Sequence, residues 1–504
     1  MPQPHPKFER PSDPIVAQNQ FRQQTAVLQT WPSFNKAKAQ LPRPVLPEHT
    51  AWVQLYWHTW ELAWHNLRQP APDAGFVANY LDAGTEPFLF MWDSAFMSQF
   101  GLYGRRAFDF TGNLDNLYAK QHSDGFICRQ IDLATGDDFF YPFDPNGTGP
   151  NVLAWAEWRH YRFTGDDDRL AKVFPALVGY HRWCRANRTW PNGLHWATGH
   201  SSGMSNQPRV PNSSFQHRHW TWVDASMQAA LSSLVLAQMA TLLKEEKLAT
   251  ALEAEHSRLS EQINEQLWNE ATQFYQDVDP DGRFSPVKSV AAYWGLLDAT
   301  LIPEKRREPF VKALRENWTF KLTHRIPSQS ADSEGYNFET GNYWRGGVWP
   351  ATNFMVLRGL RKIGQHGLAH EIAVNHLTNV AEVYAQTQAL WENYSPETAA
   401  PGDPAAKNPI GMAGLTPIAI LLEDVIGLTV DWPQRRVFWD RRLESERPYG
   451  VENYPLGPDG TLSMVADAAK LTLSTDVPFT LTLRDATQSL QTAVPSGTTE
   501  INLE

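Results

Sequence analysis

Helical periodicity returns roughly a dozen times along this chain before any strand pattern begins. Apolar residues recur at helical spacing near 49–68, 105–119, 150–163, 167–188, 223–246, 249–268, 287–299, 303–316, 350–363, 366–387 and 412–427, and short and long loops join these stretches. A helix with one apolar stripe must bury that stripe against a neighbour, so this many in series demand a layered, mainly α body. In the first of them Trp52, Tyr56, Trp60 and Trp64 fall at successive i+4 steps, a stripe that core packing explains without any binding role. After Val430 the period drops to two. Leu471-Thr472-Leu473 and Phe479-Thr480-Leu481-Thr482-Leu483 alternate, and Pro458-Asp459-Gly460 is a hairpin-type turn. The expected division is an extended N-terminal arm over 1–48, with a short helix around 15–28, a helical body over 49–429 and a small β-sandwich-like domain over 430–504.

The chain has 504 residues, 42% of them hydrophobic, which is enough for a large core. Its 44 basic and 55 acidic residues leave a net charge of −11, which argues against nucleic acid or an anionic membrane as the main partner. No apolar run approaches the ~20 residues of a spanning helix, and the N-terminus lacks a charged-then-apolar leader pattern. Two cysteines, Cys128 and Cys184, are too few for a disulfide scaffold and read as free thiols of a cytoplasmic protein. The 21 Trp, 15 Tyr and 25 Phe suit sugar rings, but they suit a large core equally well.

Several loops between the helices carry chemistry. Ser201-Ser202-Gly203-Met204-Ser205-Asn206-Gln207-Pro208-Arg209 is small, polar and punctuated by Gly and Pro, the composition of a loop held in special backbone angles. Trp92-Asp93 sets a carboxylate among apolar neighbours, as a helix cap or as a sugar ligand. Gln121 to Ile127 contains Asp124-Gly125, a turn signal first and a site second. Asp277 to Gly282 mimics the start of a calcium loop but lacks its terminal Glu and carries Pro280, so it reads as a turn, and no metal or other cofactor is expected. The non-periodic segment 321–346 leads through Tyr343-Trp344-Arg345-Gly346 to Trp349-Pro350, and long loops inside compact domains are usually functional. Finally, Glu392 stands between Trp391 and Tyr394, where partial burial would tune its pKa, although a solvated loop Glu has the same surroundings in sequence. Glycoside hydrolysis needs two carboxyls flanking the bond, and in the inverting form one protonates the leaving oxygen while the other takes a proton from water. Glu392 is the candidate base.

Trp92-Asp93-Ser94, Gln121 to Ile127, Ser202-Gly203-Met204 with Asn206, Pro208 and Arg209, the Tyr343 to Pro350 segment, and Glu392-x-Tyr394 follow one another in the order seen in glycoside hydrolase family 63. The region 50–430 resembles the mannosylglycerate-hydrolase-type members of that family and, more distantly, the trehalases. The resemblance implies an (α/α)6 barrel, an inverting mechanism without a metal, a small α-glucoside or α-mannoside as substrate, Glu392 as base and Asp93 as a ligand of sugar hydroxyls. It also implies a pocket wall from Tyr343, Trp344 and Arg345, with Trp92, Gln121, Asp124, Asn206, Arg209, Trp349, Trp391 and Tyr394 as further binding positions. Where the family carries its general-acid Asp, this chain has Ser205. A hydroxyl cannot protonate a departing alkoxide at neutral pH. Three explanations follow: an inactivated variant, favoured by the intact surrounding motif; a sugar-binding relative without catalysis; or a proton from Asp224, a position that reads more simply as a helix cap. An α-toroid lyase or cyclase would want a basic cluster or an Asp-x-Asp-Asp motif, and neither stands in a suitable loop.

Overall fold

The structure, a computed structural model, describes residues 11–141, 143–144, 146–485 and 489–503, so the first ten residues of the expected arm lie outside the described residues. The protein is mostly helical with a C-terminal sheet region. The helices come in pairs: Met91–Gly101 with Gly112–Ala119, Leu153–Thr164 with Asp167–Asn187, Val223–Leu242 with Glu246–Gln266, and Pro350–Lys362 with His366–Thr387. The 3-10 helix Val290–Leu297 packs between Val223–Leu242 and Pro350–Lys362. The run Met412–Leu415 and Thr416–Val425, the latter wound as a π-helix, packs against Thr50–His65. One member of each set is buried on nearly every side. These inner helices contact one another in sequence, and the Met412–Leu415 turn returns to Met91–Gly101.

Val223–Leu242 corrects one expectation. By length and composition it is apolar enough to cross a membrane, and 72% of its most apolar window is buried inside the protein. Its residues are apolar all round because neighbours surround it, which is the pattern of a core helix. The helix expected over 105–119 begins only at Gly112. Gly101 and Gly104 let Phe110 fold back so closely that a Cβ there would stand 2.3 Å and 2.6 Å from its side chain, so the chain turns through 102–111 instead of winding. The turn reading of 277–282 matches the structure: Asp279 accepts from the backbone N–H of Asp281 and of Arg283, both at 2.9 Å.

The C-terminal sheets number two. Arg43–Val45, Tyr449–Leu456, Gly460–Ala466, Lys470–Thr475 and Gly497–Asn502 form a five-stranded antiparallel sheet in that order. Ser489–Val494, Phe479–Arg484, Arg436–Asp440 and Leu428–Asp431 form the second, with Phe479–Arg484 parallel to Arg436–Asp440. Gly460–Ala466 and Phe479–Arg484 bury alternate residues, so Leu462, Met464, Leu481 and Leu483 join the same core as the helices. The expected extended arm is thus partly structured. It carries short 3-10 turns at Val16–Gln18 and Gln20–Gln23 and donates the edge strand Arg43–Val45 to the C-terminal sheet.

Candidate active site

Three long-range connections build one cavity of about 220 Å³ at the N-terminal ends of the inner helices. The first is a strand pair. Phe88–Phe90 runs antiparallel to Gln130–Asp132 with Phe90 opposite Gln130, which sets Glu86, Trp92 and Asp93 beside Arg129 and Gln130. The second is the Ser205 loop. A short helix, Gly199–Ser202, is capped reciprocally by Thr198 and Ser201 and ends at Gly203 with φ +80°. A Cβ at Gly203 would lie 3.3 Å from the Trp92 indole, so backbone angle and close approach both favour glycine there. Asn206 Nδ2 donates to Asn342 O at 2.9 Å and its Oδ1 accepts from Trp344 N at 2.9 Å, tying this loop to the Tyr343 segment. The third is the Glu392 loop, stitched to the segment before Pro350 by reciprocal backbone bonds between Tyr394 and Val348 at 2.8 and 3.0 Å.

Glu392 and Ser205 both line the cavity, with Trp92, Asp93, Tyr343, Trp344 and Trp349. Trp344 and Trp349 stack at 3.8 Å with their planes 3° apart. The Trp349 indole N–H donates to Tyr343 O at 3.1 Å, and the Tyr343 hydroxyl donates to Glu392 Oε1 at 3.1 Å. Glu392 Oε2 accepts from Ala406 N at 3.2 Å. Burial raises the Glu392 pKa above the usual carboxylate value, and the two donors oppose the rise. The Asp93 carboxyl is pushed up to about 7, first by burial and then by the neighbouring charge of Glu392. Trp92 Nε1, Gln130 Nε2 and Arg129 Nη2 are buried at the cavity without a hydrogen-bond partner among the described residues. The wall therefore offers donors beside carboxylate acceptors, the two needs of a sugar's hydroxyls.

Asp93 is not the helix cap that sequence allowed. Phe90 holds the N-cap position, and Asp93 lies in the first turn at the cavity wall. Its raised pKa makes the folded state bind a proton that the unfolded chain has released above about pH 4. Stability from this group is complete below that value and is lost as pH rises towards about 7. Asp93→Asn should therefore gain about 1–3 kcal/mol on the parent between pH 5 and pH 8, measured by urea denaturation at both pH values. Equal gaps at the two would refute the shift.

Several expected binding positions lie off the cavity wall. Gln121 is buried, donating to Gly125 O and Ala176 O and accepting from Asn19. Asp124 accepts from Phe126 N and from the Trp183 indole at 3.0 Å each. Arg209 is buried between Asp224 and Asp277, with its guanidinium 4.3 Å from the Trp222 ring centre. Arg345 donates to Gly335 O, Trp391 donates to Thr387, and the Tyr394 hydroxyl accepts from Trp391 N. Asn206 is exposed and binds loop to loop. All of these brace the site's loops, because each has polar atoms taken by protein partners. Asp224, the alternative proton source, is consumed by Arg209 and does not line this cavity, and the cap on its helix comes from Asp277, which accepts from Val223 N at 2.8 Å. Glu86, Arg129, Gln130, Tyr141, His200 and Met412 line the cavity without having been singled out in sequence. They arrive by strand pairing and loop packing between distant segments, although His200 directly precedes the Ser201 to Arg209 loop and Arg129-Gln130 follows the Gln121 to Ile127 motif by two residues.

The sequence profile of the mannosylglycerate hydrolase MGH1-like glycoside hydrolase domain matches residues 86–408, a span that holds every lining residue of this cavity except Thr85 and Met412. The chain belongs to this family. A mannosylglycerate hydrolase of Thermus thermophilus is 24% identical over 395 residues, covering 62% of this chain and 90% of that protein. The structure of a glycoside hydrolase family 63 mannosylglycerate hydrolase, also from Thermus thermophilus and in complex with glucose, superposes with a TM-score of 0.58 at 22% identity, covering 72% of this chain and 98% of the other. An alpha-L-rhamnosidase from Dictyoglumus thermophilum shares the fold at 12% identity and a TM-score of 0.60 over 92% of this chain and 50% of its own. That coverage extends beyond the part matched to the family profile.

Proposed function

We propose that this glycoside hydrolase family member binds the sugar of a small α-mannoside or α-glucoside, in an (α/α)6 barrel of the inverting type whose general acid is missing. The observation that carries the reading is the environment of Glu392, a carboxylate with a raised pKa, oriented by Tyr343 and Ala406, in the same cavity as Ser205. The closed sequence of inner-helix contacts supports the barrel. In the reaction, water attacks the anomeric carbon and gives its proton to Glu392 while the bond to the leaving oxygen breaks and its electrons stay on that oxygen. The oxygen then needs a proton. Ser205 is too weak an acid to give it, so binding is intact and turnover of an ordinary glycoside is slow.

Arg129 refines the ligand. Its Nη1 pairs with Asp144, its guanidinium lies 5.3 Å from the Tyr141 ring centre, and Nη2 has no partner among the described residues. An aglycone with a carboxylate, such as glycerate, fits that donor. Calorimetric titration with mannosylglycerate and with methyl α-mannoside tests both levels of the reading. Mannosylglycerate should bind about tenfold tighter or better. Equal affinities would remove the role of Arg129, and no binding of any α-glycoside at millimolar concentration would overturn the proposed function.

A further inference from the structure

A second and larger cavity, about 500 Å³, opens at the other end of the inner helices, between their C-terminal ends and the C-terminal sheets. Its size falls within the range of small-molecule sites, roughly 300–1,000 Å³. Part of its wall is aromatic: Trp155, Trp158 and Phe163 from Leu153–Thr164 line it, as does the sheet residue Phe438. It is separated from the sugar cavity by packed rings. Trp155 contacts Trp294 at 5.4 Å and Trp294 contacts Trp92 at 6.0 Å, so the two cavities do not share a chamber.

The charges around it do not cancel. Six cationic side chains line it against three carboxylates, Glu423, Asp431 and Asp440, in a protein of net charge −11. Most of the arginines are accounted for. Arg159 and Arg358 pair with Glu423, Arg162 with Asp431, and Arg361 with Asp424 behind the wall, an arrangement that also suits the negative ends of the helices. Two cations remain. Lys362, exposed at the end of Pro350–Lys362, has no ion pair among the described residues. Arg484 donates to His366 Nε2 at 2.9 Å, and His366 Nδ1 lies 3.3 Å from Asp440, so the imidazole holds the guanidinium at the cavity, and no carboxylate among the described residues forms an ion pair with Arg484. Inside, Arg358 is buried between Glu423 and Asp424, and its Nε has no hydrogen-bond partner among the described residues.

We propose that this cavity is a second ligand site, taking a small organic anion with a flat apolar body. The body lies on the aromatic side formed by Trp155 and Trp158, and the carboxylate or phosphate is met by Lys362 and Arg484. The site is separate from the sugar chemistry and stands or falls independently of it.

Indole-3-acetate and its neutral amide, indole-3-acetamide, are probes of the same shape and different charge. Titrated into the full-length protein at low salt, the acid should bind and the amide should bind about tenfold more weakly or worse. The double variant Lys362→Gln, Arg484→Gln should lose the acid by a similar factor while keeping its melting temperature. Arg129→Gln, in the other cavity, should leave the acid's affinity unchanged. Equal binding of acid and amide, unchanged binding in the double variant, loss of binding in Arg129→Gln, or no binding at millimolar concentration would each overturn the proposal.

Discussion

Ser205→Asp is expected to raise hydrolysis of a methyl α-mannoside or α-glucoside by at least about 100-fold, because a positioned general acid contributes typically ~10²–10⁴ and an alkoxide leaving group depends on it. The position can accept the change. Ser205 lines the cavity with Glu392, and the bond it makes to Ser214 is through its backbone carbonyl, which aspartate keeps. The loop beneath it is fixed by the Thr198 cap, the Gly203 turn and the bonds of Gln207 to Ser328 O and Trp344 O, so the new carboxyl inherits a defined direction. Released sugar measured over time by NMR gives both the rate and the anomer. A rate that stays at the parent's level while the sugar still binds would remove the hydrolase reading and leave a carbohydrate-binding protein in its place.

The complementary result comes from an α-glycosyl fluoride. Fluoride departs without a full proton from the protein, whereas the attacking water still needs a base. The parent chain should therefore turn over the fluoride faster than the alkyl glycoside, and Glu392→Gln should reduce that activity by about 10²–10⁴. Gln keeps the size of the side chain and can still accept from Tyr343 or Ala406, which makes a collapse of the site an inadequate explanation for the loss. Fluoride hydrolysis that survives in Glu392→Gln would assign the base to another carboxylate of the cavity, Asp93 or Glu86.

Much of the scaffold was legible because it depends on local pattern. His366–Thr387 begins and ends where periodicity put it, and the change of period after Val430 marks the real start of the sheets to within a few residues. The convergence of the loops was also legible, because Trp92, Asp93, Ser205, Tyr343, Trp344, Trp349 and Glu392 do meet at one cavity. Sequence could not separate residues that face a ligand from residues that brace those that do. Gln121, Asp124 and Arg209 sit in the same motifs, yet each is consumed by a partner far along the chain: Ala176, Trp183 and Asp277 respectively. The reverse failure has the same origin. Arg129 and Gln130 enter the site through a two-strand pairing too short to leave a period of its own.

The strand Arg43–Val45 is synthesised before the helical body and its partner Tyr449–Leu456 after it. Arg43 pairs with Glu452 across 409 residues, and Asn453 Nδ2 reaches back to Ala39 O and Leu41 O. On the ribosome this pairing cannot form until the whole helical body between the two strands has emerged, so it closes after that body has been made. The entropic cost of so long a loop grows only logarithmically, and a body already folded between the two strands holds them near each other and reduces it further. The early segment then serves as a latch. It covers an otherwise open edge of Tyr449–Leu456, the kind of edge on which partly made chains of different molecules join, and it seats only once the helical body has been made and Tyr449–Leu456 follows it.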